Sequence, residues 1–460
     1  MKAIFVINQI KQNGQIPEKM YGCSYSIYPT PDLAVFYNAA VLKKANYKVS
    51  LFYIKKIDDV KKLPDADIYL MNSVILSYES DARIIKLIRK KVFIFGPYPT
   101  LYPDKYLFKK TIFVLRGETE HFILDAAKNP SKSTGVSYLR DGKIVNNPTA
   151  GIIENLDEIP FPLREIDQEN YFNPKLNCKK FTNVLASRGC ANKCYFCVPN
   201  SISWSRELEW KKFNDGKPPV RVRSAKNVIE ELELIKKEGY EEFSFVDDQY
   251  VVGKNRVIEI SKAIEGLGLE YGILARADRL LDEETVSALA CSKCKYIDIG
   301  AESFNQDVLD DINKGIKVEK IFKAIELLVK HKIEPKINIM FGTSPKETRE
   351  IVEETIDATL NLPSNYCMFS IATPFPGTEF RNVAEKNNWI IKNDDTNPAS
   401  VAQISYPDLT DKDLEQISKN ANLRFYLRPK VFFTVFKKAI SFKSSKLYVR
   451  LLLNWLKNFK

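Results

Sequence analysis

Three cysteines fall within eight residues, in the stretch Cys190-Ala191-Asn192-Lys193-Cys194-Tyr195-Phe196-Cys197. Thiolate sulfur is the preferred protein ligand of iron–sulfur clusters, and a [4Fe–4S] cube normally takes four of them. Three on one tight loop hold three corners of a cube. The nearest other cysteines in sequence, Cys178 and Cys291, lie outside the loop. One iron is then left open to a small-molecule ligand, which is a catalytic arrangement. The competing readings are a zinc knuckle and three coincidental core cysteines. Zinc takes four tetrahedral ligands, usually from paired CxxC or CxxC/HxxxH units. The chain has only two histidines, His121 and His331, and neither is near the loop. Cys291-Ser292-Lys293-Cys294 has no second cysteine pair to complete a site, so it reads as part of a helix-to-strand turn. His121 and His331 read as structural.

The loop must be carried by something rigid. An apolar run over 181–186 predicts a strand, and Ser187-Arg188-Gly189 opens the loop after it. The same rhythm then repeats. Strands are expected at 242–246, 271–275, 296–300, 336–341 and 367–372, with helices at 225–238, 254–267, 282–291, 318–331 and 346–360 between them. The strand ends carry Asp247-Asp248, Arg276-Ala277-Asp278, Ala301-Glu302-Ser303, Gly342 and Thr373-Pro374-Phe375-Pro376-Gly377-Thr378. Six such units predict a partial (β/α) barrel, whose active site forms at the carboxyl ends of the strands.

Ahead of it, strands at 3–8, 48–54, 68–71, 92–95 and 112–115 alternate with helices at 34–44, 80–89 and 118–127. That alternation predicts a doubly wound parallel sheet, with ligands taken at the carboxyl ends. The loops Gly96-Pro97-Tyr98-Pro99-Thr100 and Arg116-Gly117-Glu118-Thr119-Glu120 lie there. A hairpin over 135–145 turns at Asp141-Gly142. Residues 153–180, with Pro160, Pro162 and Pro174, form a linker. The fold class is thus α/β: a doubly wound sheet with its linker (1–165), a partial (β/α)6 barrel (181–392) and a helical, basic C-terminal region (393–460).

Composition narrows the class. Of 460 residues, 45% are hydrophobic and 28% charged, as in ordinary soluble proteins. Eight cysteines in so long a chain do not resemble a secreted disulfide scaffold, and a reducing cytoplasm is expected. Met1 to Asn8 reads as a strand rather than a signal peptide, and no apolar run is long enough for a spanning helix. The net charge is +11, and residues 429–460 carry eight Lys or Arg and no acid. That tail reads as a docking helix over the barrel, with an interfacial helix on an anionic membrane as the alternative. No nucleic-acid-binding module is recognisable, so nucleic acid is not expected as a partner.

The motif CxxxCxxC with an aromatic before its third cysteine resembles the cluster loop of radical S-adenosylmethionine (SAM) enzymes. The strand ends resemble that family along the whole barrel, Gly300-Ala301-Glu302-Ser303 and Pro374-Phe375-Pro376-Gly377-Thr378 most closely. The resemblance implies a [4Fe–4S] cluster on Cys190, Cys194 and Cys197. It implies SAM bound near Phe196, Asp247, Asp248, Arg276, Glu302 and Ser303, and its cleavage to a 5′-deoxyadenosyl radical with an electron from an external donor. The first domain is similar to the cobalamin-binding domain of one large subgroup, through Tyr28-Pro29-Thr30-Pro31, Asn72-Ser73 and the two carboxyl-end loops. That implies cobalamin near Ser73, Gly96, Thr100, Gly117 and Glu118. The implied activity is cobalamin-dependent methyl transfer to an unactivated carbon of a small-molecule or lipid-linked substrate. The alternatives are a cyclisation or rearrangement without methyl transfer, and a non-catalytic binding protein on the same fold.

Overall fold

The computed structural model describes residues 1–12, 14–21, 24–26, 28–392 and 401–434. Seven strands form the first sheet: β1 (Lys2–Asn8), β2 (Lys48–Ile54), β3 (Ile68–Asn72), β4 (Lys91–Phe95), β5 (Ile112–Leu115), β6 (Val136–Arg140) and β7 (Lys143–Asn146). Their order is β2-β1-β3-β4-β5-β6-β7. The first five are parallel, and the hairpin β6–β7 adds antiparallel at the edge. Residues of β3, β4 and β5 are buried almost without alternation, as expected of a parallel sheet covered on both faces.

Helix α1 (Leu33–Lys44) departs from the expected one-sided stripe of Val35, Tyr37, Ala40, Val41 and Leu42. Leu33 to Ala40 are all buried, Asn38 included. The helix is covered on one side by its own sheet. On the other, Leu163 of the linker donates its N–H to the Phe36 carbonyl, and the Arg188 guanidinium lies 5.4 Å from the Tyr37 ring. The remaining helices here are α2 (Tyr78–Leu87), α3 (Pro97–Leu101) and α4 (Ile123–Lys128). Two expectations change. The Gly-Pro-Tyr-Pro-Thr segment is no loop: Gly96 precedes α3 and Pro97 supplies its first helical residue, where the missing N–H costs nothing. The helix expected at 118–127 is instead a 3₁₀ turn over Thr119–His121 followed by α4.

The second sheet contains β8 (Phe181–Val184), β9 (Glu242–Phe245), β10 (Glu270–Ala275), β11 (Cys294–Glu302), β12 (Glu334–Phe341) and β13 (Tyr366–Ile371), all parallel and in chain order. Helix α5 (Ser201–Trp210) follows the first of these strands but packs on α3, with Trp204 and Leu208 in a core of the first sheet. The covering helices of the second sheet are α6 (Ala225–Lys237), α7 (Lys254–Leu267), α8 (Glu283–Cys291), α9 (Gln306–Asp311), α10 (Val318–Lys330), α11 (Arg349–Leu360) and α12 (Glu379–Lys386). Ile337, Ile339 and Phe341 turn to the helices, while Lys336, Asn338 and Met340 alternate to the barrel interior. Helix α5 has no counterpart in the sequence reading. Ser201 to Glu209 are all buried, so no polar face marks a helical period.

The linker closes the barrel floor. Asn173 donates to the Tyr296 hydroxyl at 2.9 Å, Lys175 pairs with Asp298 at 2.7 Å, and the Asn177 N–H donates to Glu242 at 2.7 Å. Helix α13 (Asp411–Tyr426) matches the helix expected over 409–426 and buries Leu414, Ile417, Ala421 and Phe425 against the barrel. Most of the basic tail and Cys23 lie outside the described residues.

Candidate cluster and cofactor site

The cluster loop leaves β8 and is fixed at both ends by the paired aspartates after β9. Asp248 accepts from the Gly189 N–H at 3.0 Å and the Asn200 N–H at 2.7 Å, so one carboxylate pins the loop before Cys190 and after Cys197. Asp247 accepts from Ala186 N–H at 3.2 Å and the Ser187 hydroxyl at 2.5 Å. Burial pushes the Asp247 carboxyl up to about 6, against the hydrogen bonds it accepts, and raises Asp248 likewise. The sequence reading put both at SAM. Their oxygens accept from backbone N–H groups at the two ends of the loop and from the Ser187 and Ser203 hydroxyls, so both aspartates brace the loop. Midway along the loop, Tyr195 donates its hydroxyl to the Thr343 carbonyl and accepts from Phe380 N–H at 2.9 Å.

Cys190, Cys194 and Cys197 are all half-buried and free. Among the described residues no three His, Cys, Asp or Glu converge on one point that would hold a single metal ion. A cube places each thiolate on a different iron, so its ligands stand apart. Cations surround the loop. Arg276 Nη1 is 3.9 Å from Cys194 Sγ, and Lys217 donates to the Asn192 carbonyl at 3.1 Å. Burial raises the Cys197 thiol, and the nearby Lys217 charge opposes it. Binding iron requires the thiolate form, which those cations favour. The donor set and its charge suit a cluster.

Next to Cys194 lies a second group. Glu302 accepts from Lys314 Nζ at 2.8 Å, both buried. Glu302 has φ +65° and sits where the β11–β12 register shifts. A non-glycine residue at positive φ on a bulge is held against its preference by its surroundings. Here the bulge turns the carboxylate toward Lys314. Arg276 also pairs with Asp278 at 3.0 Å. Ser303 shares a hydrogen bond with Thr355 at 3.2 Å and accepts from Asn305 N–H, bracing the start of α9. Phe196 is half-buried against the barrel core, edge-on to Tyr195. The structure therefore gathers Cys194, Arg276 and Glu302 in one place and adds Lys314.

At the carboxyl edge of the first sheet, Gly96 and Gly117 line a narrow hollow with Asn38, Asn72, Thr119, Ser201 and Ser205. Gly96 has φ +113°, and a Cβ there would meet the Ser73 carbonyl at 2.3 Å. Asn72 donates to both Asp32 oxygens, while its own buried Oδ1 has no partner. Ser73 turns away from the hollow, toward Asp81 at 2.6 Å and Tyr106 at 2.7 Å. The Thr100 hydroxyl braces the edge, donating to Gly96 O at 2.8 Å and accepting from Gly117 N–H at 3.2 Å.

Glu118 requires a correction. It was expected at the corrinoid, but its carboxylate accepts from Arg188 at 3.0 Å and from Arg221 at 2.9 Å, and it is 2% exposed. Burial alone would raise it, yet the two guanidiniums and the Ile153 N–H overcome that and hold it at about 2. Glu120 takes the other side of Arg188 at 2.8 Å. The Arg-Gly-Glu-Thr-Glu turn thus grips the residue two positions before Cys190. Arg116 with Glu209, and Arg164 and Arg223 with Glu231, extend the buried ion pairs across the two sheets. The sequence reading missed Arg188, Arg221 and Lys314. Arg188 stood in the loop opening in plain view, but nothing local reveals its partner.

An uncharacterized methyltransferase of Pyrococcus horikoshii is 31% identical over 364 residues, which is 76% of this chain and 76% of that protein. Residues 184–359 match the radical SAM superfamily. The chain belongs to the radical SAM superfamily. Membership brings a [4Fe–4S] cluster and SAM as cofactors, and Cys190, Cys194 and Cys197 are where this radical SAM chain has the cluster motif. A bacteriochlorophyllide d C-12(1)-methyltransferase of Chlorobaculum tepidum is 26% identical over 208 residues, 44% of this chain and 43% of its own length. An anaerobic magnesium-protoporphyrin IX monomethyl ester cyclase of Rubrivivax gelatinosus is 26% identical over 288 residues, 59% of this chain and 49% of its own. The chain spans about half or less of these two relatives. Among solved structures, the methyltransferase TsrM of Kitasatospora setae with cobalamin and a [4Fe–4S] cluster has a TM-score of 0.62 at 16% identity, covering 84% of this chain and 75% of TsrM. The cobalamin-dependent enzyme OxsB reaches 0.69 at 15%, covering 99% of this chain and 71% of OxsB. The fold is that of the subgroup with a cobalamin-binding domain before the barrel.

Proposed function

We propose that this radical SAM enzyme is a cobalamin-dependent methyltransferase acting on an unactivated carbon of a small molecule. The observation that carries the reading is the grip of Glu118 and Glu120 on Arg188. It locks the cluster loop against the carboxyl edge of the first sheet, so the edge proposed for the corrinoid and the cluster loop face one assembly. The names of two relatives, both methyltransferases, support it. The division at 1–165, 181–392 and 393–460 belongs to the same proposal.

When bound, cluster and SAM supply a carbon radical and cobalamin supplies a transferable methyl group. The chain's own residues do the rest. Cys190, Cys194 and Cys197 hold three irons. Arg276 and the Glu302–Lys314 pair, beside Cys194, would orient SAM's charged end, Phe196 would take its adenine, and Ser303 braces the strand end. The orphaned Asn72 oxygen and the glycine-lined hollow suit a ligand edged with amide groups, such as a corrinoid. Asn338, Met340, Met368 and Ser370 face the barrel interior, and Met368 is 48% exposed there, so the substrate is placed against them. The electron comes from an external donor. A lipid-linked substrate and a membrane-facing tail rest on the sequence of residues 430–460 alone, and no helix among the described residues is long and apolar enough to cross a membrane.

The test is anaerobic reconstitution with iron, sulfide and hydroxocobalamin, then turnover with SAM labelled in its methyl group. About four irons and one corrinoid per chain, with label in a product, are expected. The cyclase relative favours a second reading, ring closure without methyl transfer. SAM cleavage with an altered product that never carries label would establish that reading in place of the first.

A further inference from the structure

An open, solvent-facing hollow lies apart from the glycine-lined one and shares no lining residue with it. It sits over the carboxyl ends of β1 and β2, whereas Gly96 and Gly117 lie beyond β4 and β5. Three separate elements bring cations to it: Lys11 after β1, Lys55 and Lys56 after β2, and Arg83 from α2. Its only acid is Glu169, already paired with Lys55 at 3.1 Å. Among the described residues Lys11, Lys56 and Arg83 form no ion pair, although Asp58 and Asp59 stand near enough to Lys56 for its charge to favour their ionised forms. The acids of the neighbouring 3₁₀ turn are engaged elsewhere: Asp59 accepts from the Lys55 and Lys56 N–H groups and pairs with Lys62, and Asp58 pairs with Lys61. The wall between the cations is apolar, from Ile10, Ile16, Pro29 and Ile57, and the Ser80 hydroxyl beside it is held by Ser77 and Asn8.

Unpaired like charges on one concave wall repel each other, and a cleft focuses their field. An ordinary solvated surface intersperses acids among its cations. We propose that this groove binds a phosphate-bearing ligand whose apolar portion lies on Ile10, Ile16, Pro29 and Ile57. Phosphate fits better than a carboxylate, because its several oxygens can engage ammonium and guanidinium groups from different directions at once. Gln9, Ile16 and Pro29 also line an adjoining narrow crevice, whose other walls include Asp32, Tyr53 and Asp167.

The test is calorimetric titration of the full-length protein with inorganic pyrophosphate and, for the apolar wall, with n-octyl phosphate. Both should bind saturably and weaken with salt. The pair Lys56→Glu with Arg83→Glu should weaken both by at least about tenfold. Lys61→Glu, on the same turn but outside the groove, should change them by less than about twofold. These exposed substitutions leave the cores untouched, and an unchanged Tm checks that. Absence of saturable binding, equal loss in the Lys61 variant, or displacement of pyrophosphate by hydroxocobalamin would each overturn the proposal. None of these readouts depends on SAM cleavage.

Discussion

Single carboxylates do the structural work around the loop. Glu118 is buried between Arg188 and Arg221, and removing its charge leaves Arg221 with no carboxylate and Arg188 with Glu120 alone. Glu118→Gln should therefore lower stability by about 3 kcal/mol or more, read from denaturant unfolding, and should loosen the first sheet's edge from the cluster loop. Glu118→Asp, which keeps the charge, should recover part of that loss. Asp247 titrates in the opposite sense. Its folded value is raised from 3.8 to about 6 by burial, so its neutral form favours folding. That contribution is fully present below 3.8 and is lost as pH rises through about 6. Two units correspond to about 3 kcal/mol. Asp247→Asn removes this titration, so the stability difference between variant and wild type should shift in the variant's favour across that window. A difference constant from pH 3.5 to about 6.5 would show that burial does not govern Asp247.

At the scale of elements, the carboxyl edge of the first sheet depends on a close approach between backbones. Gly96 joins β4 to α3 with φ +113°, and a side chain there would collide with the Ser73 carbonyl after β3. Neither carbonyl nor strand can move without disturbing the parallel ladder. Gly96→Ala should lower stability by about 3 kcal/mol. Gly142→Ala, in the β6–β7 turn with nothing within 4 Å of the new Cβ, should cost only about 1 kcal/mol. Comparing the two melting temperatures separates collision from loss of backbone freedom. The bulge at Glu302 follows the same logic: the strand is distorted where it aims a side chain.

At the scale of the molecule, the apolar cores do not respect the boundary between the sheets. Leu33, Val35 and Phe36 of α1 belong to the same buried cluster as Phe181 and Leu185 around β8, Ile202 of α5 and Tyr296 of β11. Trp204 and Leu208 of α5 join the cluster on the other face of the first sheet. With the buried ion pairs crossing the same interface, the two sheets should unfold together. Calorimetry of the protein should give a single cooperative transition, and two resolved transitions would show that each sheet stands alone.

What the sequence determined by itself was whatever is encoded locally. The spacing of Cys190, Cys194 and Cys197 fixes which metals the loop can take, because a tight loop brings its own ligands together. Strand-and-helix periodicity placed β2, β5 and α7 at their observed bounds, since alternation and capping act over a few residues. The misses have one cause. Helix α5 and much of α1 are buried all round, so the polar face that marks a helix in sequence is absent. Asp247, Asp248 and Glu118 were recognised as important yet assigned to ligands, because a carboxylate's partner is whatever folds against it. Glu118 and Arg188 stand 70 residues apart. Only the tertiary structure decided that this carboxylate holds the cluster loop rather than a cofactor, that Lys314 completes the group beside Cys194, and that unpaired cations from three elements meet in one groove.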